Sequence, residues 1–149
     1  MNVVETHTFP VSREELWRVL LDARQMAKWI PGCERLEEVG PDRYAATLKI
    51  GVAAIKGSYT GYVEIRDKQF PEHYTLAVEG AAAPGFVKGT ARLDLTDIGD
   101  GRTTLVVNGD AQVGGLIASV GQRFLTGIAR QMTQQLMRNI EKEVLQVVR

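Results

Sequence analysis

Apolar and polar residues alternate with a period of two through the middle of the chain, over residues 33–113. In the clearest stretch, the apolar face consists of Ile55, Gly57, Tyr59, Gly61, Val63 and Ile65. Such alternation is typical of antiparallel strands that have one dry and one solvated face. Turn-forming residues at positions 40–42, 71–72 and 99–101 divide the region. The pattern therefore predicts a long antiparallel sheet.

Before this region, the pattern predicts one strand and two short helices. Residues 3–9 alternate, and Pro10 ends them. Ser12 and Glu15 have the spacing of a capping box, so a helix is expected to follow. Asp22 is placed to cap a second short helix that runs to Trp29.

Beyond Gly114 and Gly115, apolar residues recur at every fourth position almost to the C-terminus. The stripe consists of Leu116, Val120, Phe124, Ile128, Met132, Leu136, Ile140 and Val144. This spacing predicts one continuous amphipathic helix that is long enough to cross a whole sheet. We expect Val144, Leu145 and Val148 to overhang the sheet, where they are free to pair with another chain in a homodimer.

The order of these elements predicts a single α+β domain over residues 1–149. Its architecture is the helix-grip fold, in which a curved antiparallel β-sheet wraps around the long C-terminal helix. Two short helices lie between strands one and two. We expect the long helix to lie across the concave face of the sheet and to close it.

Small residues interrupt the apolar face of the predicted sheet. Gly57 and Gly61 flank Tyr59 on one strand. Two later strands carry Gly89, Ala91, Gly109 and Ala111 on the matching face. Because protein interiors pack as densely as organic crystals, an under-filled concave face predicts a cavity shaped for a guest molecule. The glycines also have a structural interpretation as bends that curve the sheet, and the two interpretations are compatible.

Four aromatic side chains are candidates for lining this cavity, because flat rings suit an apolar pocket. They are Trp29, Tyr59, Phe86 and Phe124. Trp17 is instead assigned to the core under the first helix.

Residues 80–86, Gly-Ala-Ala-Ala-Pro-Gly-Phe, are predicted to form an apolar loop near the start of the long helix. Two interpretations of this loop stay open. It is either an entrance lip that contacts a membrane or a partner surface, or a loop folded on itself.

Charge and composition exclude several classes of protein. Eighteen basic residues balance eighteen acidic ones, so the chain lacks the basic field that nucleic acids require. A single cysteine and the absence of a secretory signal among the first residues predict a cytoplasmic protein. No apolar stretch approaches the roughly 20 residues that span a bilayer. Any membrane contact is therefore expected to be peripheral, at the inner face of the membrane.

Metal and nucleophile chemistry find little support in the sequence. His7 and His73 lie in different predicted strands, and Cys33 has no Cys or His partner at a ligand spacing. We therefore predict no metal site. No base adjoins Cys33 in the sequence either, so we interpret it as a small buried residue.

Acid–base catalysis is the remaining enzymatic option. The ionisable groups assigned to the inward faces are the phenols of Tyr44, Tyr59 and Tyr74. Glu5 and His7 share one face of the first strand, but the sequence does not give the direction of that face. Without a carboxylate beside the cavity there is no candidate general base, so we predict a binding protein and not an enzyme.

A set of short motifs runs through the chain. The first part carries Pro10, residues 14–17, Asp22, Trp29, Ile30-Pro31-Gly32-Cys33, Leu36, Lys56-Gly57, Tyr59 and Gly61. The later part carries Gly89, Ala91, Leu93, Gly109 and the Gly114-Gly115-Leu116 start of a Gln- and Arg-rich helix. Over essentially its whole length, the chain resembles the G-subunit family of carbon monoxide dehydrogenase (CoxG), within the START-related (SRPBCC) helix-grip superfamily.

The resemblance implies an accessory protein for a molybdenum hydroxylase of the carbon monoxide dehydrogenase type. Members are associated with tethering that enzyme to the membrane and, in some cases, with carrying a respiratory quinone in an apolar cavity. Many members continue into a Pro/Ala-rich linker and an apolar tail, whereas this sequence stops at Arg149. This departure argues against the tethering role and leaves the cavity role untouched. No covalent cofactor is implied, and the expected guest is menaquinone, ubiquinone or a similar lipid.

For such a guest, Tyr59 is expected to offer its hydroxyl to a quinone oxygen, and the other three aromatics to stack on or close around the ring. Four glycines are expected to give clearance: Gly57, Gly61, Gly89 and Gly109. Two alternatives stay open. One is a docking or membrane-recruitment protein with a filled interior, and the other is a small polyketide cyclase-like enzyme.

Overall fold

The computed structural model describes residues 1–52 and 55–147. Its elements are β1 (Asn2–Phe9), α1 (Arg13–Leu21), α2 (Ala23–Trp29), β2 (Cys33–Gly40), β3 (Arg43–Ile50), β4 (Gly57–Gln69), β5 (His73–Ala82), β6 (Gly85–Gly99), β7 (Arg102–Gly114), a 3-10 helix (Gly115–Val120) and α3 (Gln122–Val147). The antiparallel strands form one curved sheet in the order β1-β7-β6-β5-β4-β3-β2. This arrangement confirms the predicted α+β helix-grip fold.

The two short helices begin at the side-chain caps that the sequence predicts. Ser12 Oγ accepts a hydrogen bond from the backbone N–H of Glu15 at 3.2 Å. Asp22 Oδ1 accepts one from the backbone N–H of Arg24 at 2.9 Å. Each cap satisfies a donor that the first helical turn leaves unpaired. The caps therefore fix where α1 and α2 start.

The helical region after β7 is not continuous, so the prediction of one long helix is wrong at its start. Gly115–Val120 form a 3-10 helix, Gly121 adopts a φ of +97°, and α3 begins at Gln122. Glycine reaches such a φ without strain, so Gly121 interrupts the helix and the register of the apolar stripe is lost. Leu116 in the 3-10 helix and Phe124 in the first turn of α3 are both exposed.

The end of α3 does not overhang the sheet, so that prediction is wrong for Val144. Val144 is fully buried, because α1 and α2 pack against the C-terminal half of α3. Lys28 Nζ of α2 lies 4.0 Å from Glu143 of α3. Leu145 is exposed, and Val148 lies outside the described residues. Among the helices that the structure describes, none is long and apolar enough to span a membrane.

The predicted apolar loop at residues 80–86 is instead a tight hairpin. β5 and β6 extend into this segment and leave a turn at residues 83–84. Ala81 pairs with Thr60 of β4 on one side and with Phe86 of β6 on the other. Pairing on both sides overrides the weak strand propensity of a Gly- and Ala-rich segment.

The buried apolar side chains form two clusters. The large cluster lies under α1, α2 and the C-terminal half of α3, and its fully buried members are Phe9, Leu16, Leu20, Met26, Trp29, Tyr74, Leu93, Leu105, Ile140 and Val144. Trp17 also belongs to it, as predicted, with its ring edge-on to that of Tyr74. The small cluster lies where the 3-10 helix and the N-terminal half of α3 meet the sheet. It consists of Ile55, Tyr59, Ile117, Leu125 and Ile128.

Candidate ligand-binding site

A band of inward-facing residues crosses the sheet between the two clusters and belongs to neither of them. This band, which we call the belt, consists of Val3 and Glu5 (β1), Leu48 (β3), Gly61 (β4), Val78 and Gly80 (β5), Gly89 (β6), and Gly109 and Ala111 (β7). Gly61 lies opposite Gly80. Gly89 lies opposite Val78 on one side and Ala111 on the other. The centre of the concave face therefore carries very little side-chain volume.

Helix α3 passes from one cluster to the other within about one turn. Met132 packs against the small cluster, and Leu136 packs against the large cluster. Four residues make roughly one turn of an α-helix. Beneath this turn the sheet carries mostly small belt residues. We take the interface between the belt and α3 as the candidate binding site.

Two belt glycines are required by the curvature of the sheet. A Cβ at Gly61 would overlap the backbone carbonyl of Glu79 on β5. A Cβ at Gly89 would lie 2.5 Å from the backbone oxygen of Asp110 on β7. The neighbouring strands thus approach too closely for any other residue type. These two positions therefore fit the interpretation of the glycines as bends that curve the sheet.

Three other glycines leave room for a Cβ. The nearest atoms to a Cβ at Gly80 or Gly109 lie 3.7 Å away, which is an ordinary contact distance. Gly57 is similar, with Ala82 at 3.6 Å, but it lies beside the β5–β6 turn and outside the belt. Among the predicted clearance positions, Gly109 is therefore the one that both lies in the belt and accepts added volume.

Solvent reaches the belt. Val78 lies on the inner face opposite the buried Val63, yet it is 39% exposed. A space of about 460 Å³ is lined by Met1 and by the belt residues Val78, Gly89 and Ala111. Its other lining residues occupy outward positions on β3 to β7. This groove therefore lies mainly on the outer face of the sheet and touches the belt only at Val78, Gly89 and Ala111.

A second space of about 460 Å³ opens beside the small cluster. This space, which we call the mouth, is lined by Met1, Phe86, Ala111, Gln112, Val113, Ala118, Gln122 and Leu125. It connects the belt residue Ala111 with Leu125 of the small cluster, where β7, the 3-10 helix and α3 meet. The mouth therefore reaches one residue of the belt, Ala111, from one end of the protein.

Two ionisable side chains that the sequence left unplaced face inward beside α3. Gln134 Nε2 of α3 donates a long hydrogen bond to Glu5 Oε1 at 3.5 Å. His7 Nε2 lies 3.2 Å from Glu141 Oε2. The fully buried Phe9 shares their face of β1, so this face is the inner one. These contacts connect β1 to α3 and give the site a polar wall.

Tyr59 is buried in the small cluster, and its hydroxyl already has an acceptor. The O–H donates to the backbone carbonyl of Ile55 at 2.6 Å. Burial raises the pKa of the Tyr59 phenol, so the proton stays in place at neutral pH. In this conformation, Tyr59 therefore has no proton for the predicted hydrogen bond to a quinone oxygen.

The other three predicted aromatics do not converge on the belt. Trp29 is fully buried in the large cluster, where its carbonyl accepts a hydrogen bond from Asn139 Nδ2 at 3.2 Å. Phe86 occupies an outward position and borders the mouth. Phe124 is exposed in the first turn of α3. Their residue type suggested a shared site, but tertiary contacts separate them.

Nucleophile and metal chemistry gain no support from the geometry. Cys33 is half-buried at the start of β2, and burial raises the pKa of its thiol. A raised pKa lowers the fraction of the reactive thiolate. In the part of the chain that the structure describes, no group of three His, Cys, Asp or Glu residues could hold a metal ion.

Comparison with known proteins identifies relatives of the chain. The family of the carbon monoxide dehydrogenase G-subunit (CoxG) matches residues 7–145. A conserved protein from Geobacillus kaustophilus, known from its crystal structure, is 39% identical to this chain. The match covers 98% of this chain and 96% of that protein, with a TM-score of 0.93. No curated protein matches the chain.

Two further structures share the fold at low identity. A START superfamily protein from Mycobacterium smegmatis is 16% identical, with a TM-score of 0.80 and 98% coverage of both chains. The Zhui aromatase/cyclase from Streptomyces sp. R1128 is 19% identical, with a TM-score of 0.73 and coverage of 100% and 96%. These likenesses show the fold alone, whereas the family match extends over nearly the whole sequence. The chain belongs to the CoxG family, the G-subunit family of carbon monoxide dehydrogenase.

Proposed function

We propose that the chain is a non-catalytic accessory protein that holds a hydrophobic small molecule between the belt and α3. The family and the fold support an accessory or ligand-binding role. One observation carries the finer proposal. Where the two clusters stop, the inner face is built mainly from Gly, Ala and Val, and Val78 is left exposed there.

A guest with a flat ring and an apolar chain, such as an isoprenoid quinone, suits this site. Burial of about 300 Å² of apolar surface contributes about 7 kcal/mol at roughly 25 cal/mol per Å², before the entropic cost of binding. That is sufficient for a reversible carrier. In place of Tyr59, the side-chain amide N–H of Gln134 in the polar wall offers a hydrogen bond to a ring oxygen.

The partner enzyme in this proposal is a molybdenum hydroxylase of the carbon monoxide dehydrogenase type. The description of the family as a subunit of carbon monoxide dehydrogenase supports this partner. The carrier then works on the cytoplasmic side of the membrane and exchanges its guest with the quinone pool.

The first experiment is extraction of the purified protein with organic solvent, followed by mass spectrometry. Uptake of a short-chain ubiquinone analogue is then measured by equilibrium dialysis for two variants of equal added volume. Gly109→Leu fills the belt, whereas Gly127→Leu adds the same side chain on the exposed face of α3, where nothing lies within 4 Å. We expect Gly109→Leu to weaken uptake by about tenfold or more, which is about 1.4 kcal/mol, and Gly127→Leu to bind like the parent.

A stoichiometric isoprenoid in the extract, or uptake that depends on Gly109, supports the carrier. An empty extract together with no uptake by the parent protein contradicts it. Equal uptake by both variants removes the belt from the binding site. The absence of any bound guest would leave the docking-protein alternative, in which the interior is filled by side chains and the outer surfaces alone bind the partner enzyme.

The inward direction of Glu5 favours a second candidate function, acid–base catalysis in the same site. A carboxylate beside an apolar space is the group that a cyclase-like reaction needs for proton transfer, and the aromatase/cyclase from Streptomyces sp. R1128 shares this fold. Turnover of an unsaturated cyclic substrate that is lost in Glu5→Gln, with quinone binding retained, would support this function. Turnover that persists in Glu5→Gln would exclude Glu5 as the base.

A further inference from the structure

A carboxylate without a basic partner faces inward at the belt. Glu5 lies on the inner face of β1 and is half-buried. Among residues 1–52 and 55–147 it takes part in no ion pair. Its side-chain hydrogen bond there is the 3.5 Å contact of Oε1 with Gln134 Nε2. Ordinary N–H···O bonds are about 2.7–3.2 Å long, so the Glu5 carboxylate keeps unused capacity to accept hydrogen bonds.

The Glu5 carboxylate lies close to the belt position that accepts added volume. Glu5 pairs with Val107 of β7, and Gly109 is the next residue on the same face of that strand. Diagonal neighbours of this kind in an antiparallel pair lie about 7–8 Å apart. The long side chain of Glu5 spans part of that distance. A ring that lies over Gly109 can therefore bring one of its substituents against the Glu5 carboxylate.

One kind of substituent fits between Glu5 and Gln134. An ionised Glu5 Oε1 only accepts hydrogen bonds, and Gln134 Nε2 only donates them. A hydroxyl group does both. An oxygen about 2.8 Å from Oε1 and about 2.9 Å from Nε2 closes a triangle on their 3.5 Å separation, so neither side chain has to move. A hydroxyl would therefore replace one long contact by two hydrogen bonds of ordinary length. The neighbouring groups of the polar wall, His7 and Glu141, already contact each other at 3.2 Å.

We propose that Glu5 and Gln134 select guests that carry a hydroxyl group, so that the site holds a quinol more tightly than the corresponding quinone. A quinol donates its O–H to the Glu5 carboxylate and accepts the Gln134 N–H. A quinone offers acceptor oxygens alone, so it uses the Gln134 N–H but turns a lone pair towards the carboxylate. A hydrogen bond to an ionised acceptor is about twice as strong as a neutral one, and this is the bond that the quinone lacks.

This inference rests on the proposed function and adds a consequence for the electrochemistry of the guest. A site that binds the reduced form more tightly raises the reduction potential of the bound couple. For a two-electron couple, a tenfold difference in affinity between the two forms corresponds to about 30 mV. The shift is an equilibrium property of the bound guest and requires no reaction at Glu5. The carrier would thus favour reduction of the quinone that it holds and would retain the quinol.

Equilibrium dialysis under argon measures the selectivity, with the short-chain ubiquinone analogue in its quinone form and after reduction to the quinol. We expect the parent protein to bind the quinol about tenfold more tightly, the effect of one hydrogen bond to a charged group. Glu5→Gln keeps the shape of the side chain and supplies an amide N–H that can donate to a quinone oxygen, so the preference should disappear. Glu79→Gln is the matched control, because it makes the same change at an exposed position on the outer face of β5.

Two further measurements separate the roles of the two residues. Gln134→Met removes the amide, from which both forms of the guest accept a hydrogen bond. Both affinities should therefore fall by a similar factor, and the preference for the quinol should remain. A mediated redox titration of the bound analogue should show a potential about 30 mV above that of the free analogue in the parent and in Glu79→Gln. In Glu5→Gln this shift should be absent.

The outcomes distinguish this inference from the proposed function. Equal affinity of the parent protein for the two forms, or tighter binding of the quinone, would overturn the selectivity and leave the carrier standing. A preference that persists unchanged in Glu5→Gln would overturn the assignment to Glu5. Binding of neither form by the parent would refute the carrier and this inference with it. If Glu5→Gln did not fold, Glu5→Asp would replace it, because it keeps the charge but withdraws the carboxylate and should lower the preference.

Discussion

The two clusters of the interior are filled differently, although the same strands and the same helix run through both. In the large cluster, side chains from α1, α2 and α3 pack onto the sheet, and many of them are fully buried. The small cluster is bordered by the belt and the mouth, and its neighbours Leu116 and Phe124 stay exposed. The difference teaches that one half of a continuous sheet can be packed as a core while the other half keeps apolar side chains exposed.

The curvature of the sheet explains how the same strands can run through both the large and the small cluster. At Gly61 and Gly89 the adjacent strands approach so closely that only glycine fits. The strands bend there and continue into the other cluster. Glycine at these positions removes side-chain volume from the boundary between the two clusters. The belt thus results from the geometry that closes the sheet around the helix.

The largest expected effect is a difference in stability between variants of two aromatic residues that the sequence analysis placed in the same site. Trp29→Ala should destabilise the protein by about 3–5 kcal/mol, because it leaves a large void in a fully packed cluster. Phe124→Ala should change the free energy of unfolding by no more than about 0.5 kcal/mol, the usual range for exposed positions. Urea unfolding followed by circular dichroism measures both. Similar losses in the two variants would contradict the division of the interior.

Substitutions of the belt glycines by alanine should differ by position. Gly61→Ala and Gly89→Ala force the neighbouring backbone to move. Each should lower the free energy of unfolding by about 1–3 kcal/mol or more. Gly109→Ala meets only ordinary contacts. Its free energy of unfolding should change by between a loss of about 0.5 kcal/mol and a gain of about 1 kcal/mol, because alanine restricts the unfolded chain. Thermal unfolding distinguishes these outcomes. If all three variants were equally unstable, Gly109 would be a curvature position too.

A smaller effect concerns one buried hydrogen bond in each cluster. Thr103 Oγ1 donates to the carbonyl of Val11 at 2.8 Å in the large cluster, as Tyr59 does to Ile55 in the small one. Thr103→Val and Tyr59→Phe each leave a carbonyl without its donor, and Thr103→Val should cost about 1–3 kcal/mol. We expect a lower cost for Tyr59→Phe, because water from the mouth can replace the hydroxyl. Equal costs in denaturant titrations would show that the small cluster is as dry as the large one.

The fold could be predicted from the sequence because its signals are local. The period of two, the caps at Ser12 and Asp22 and the four-residue spacing of α3 each act within one element. The break at Gly121 could not be predicted, since the apolar spacing runs through it unchanged while φ becomes +97°. The burial of Val144 also depends on α1 and α2, which are distant in the sequence.

The candidate site could be predicted only in part. Glycine positions indicated the belt, but the roles of Gly61 and Gly109 differ through interstrand distances that no pattern encodes. The aromatics were chosen by residue type, and Trp29 and Phe124 then occupy opposite extremes of burial. The alternation in β1 placed Glu5 on the same face as His7. Whether that face points inward depends on the pairing of β1 with β7.

The smallest expected effect concerns Cys33, which pairs across β2 and β3 with the belt residue Leu48. Burial raises the pKa of its thiol, so the folded protein carries less thiolate at pH 8 than an unfolded one. Alkylation by iodoacetamide should therefore be slower in the folded state, with its pH profile shifted upward. The same shift removes a little stability as pH rises through the thiol range, because the folded state holds the proton more tightly. Alkylation as fast as in urea would mean that solvent reaches this edge of the belt freely, and the open half of the interior would then extend to β2.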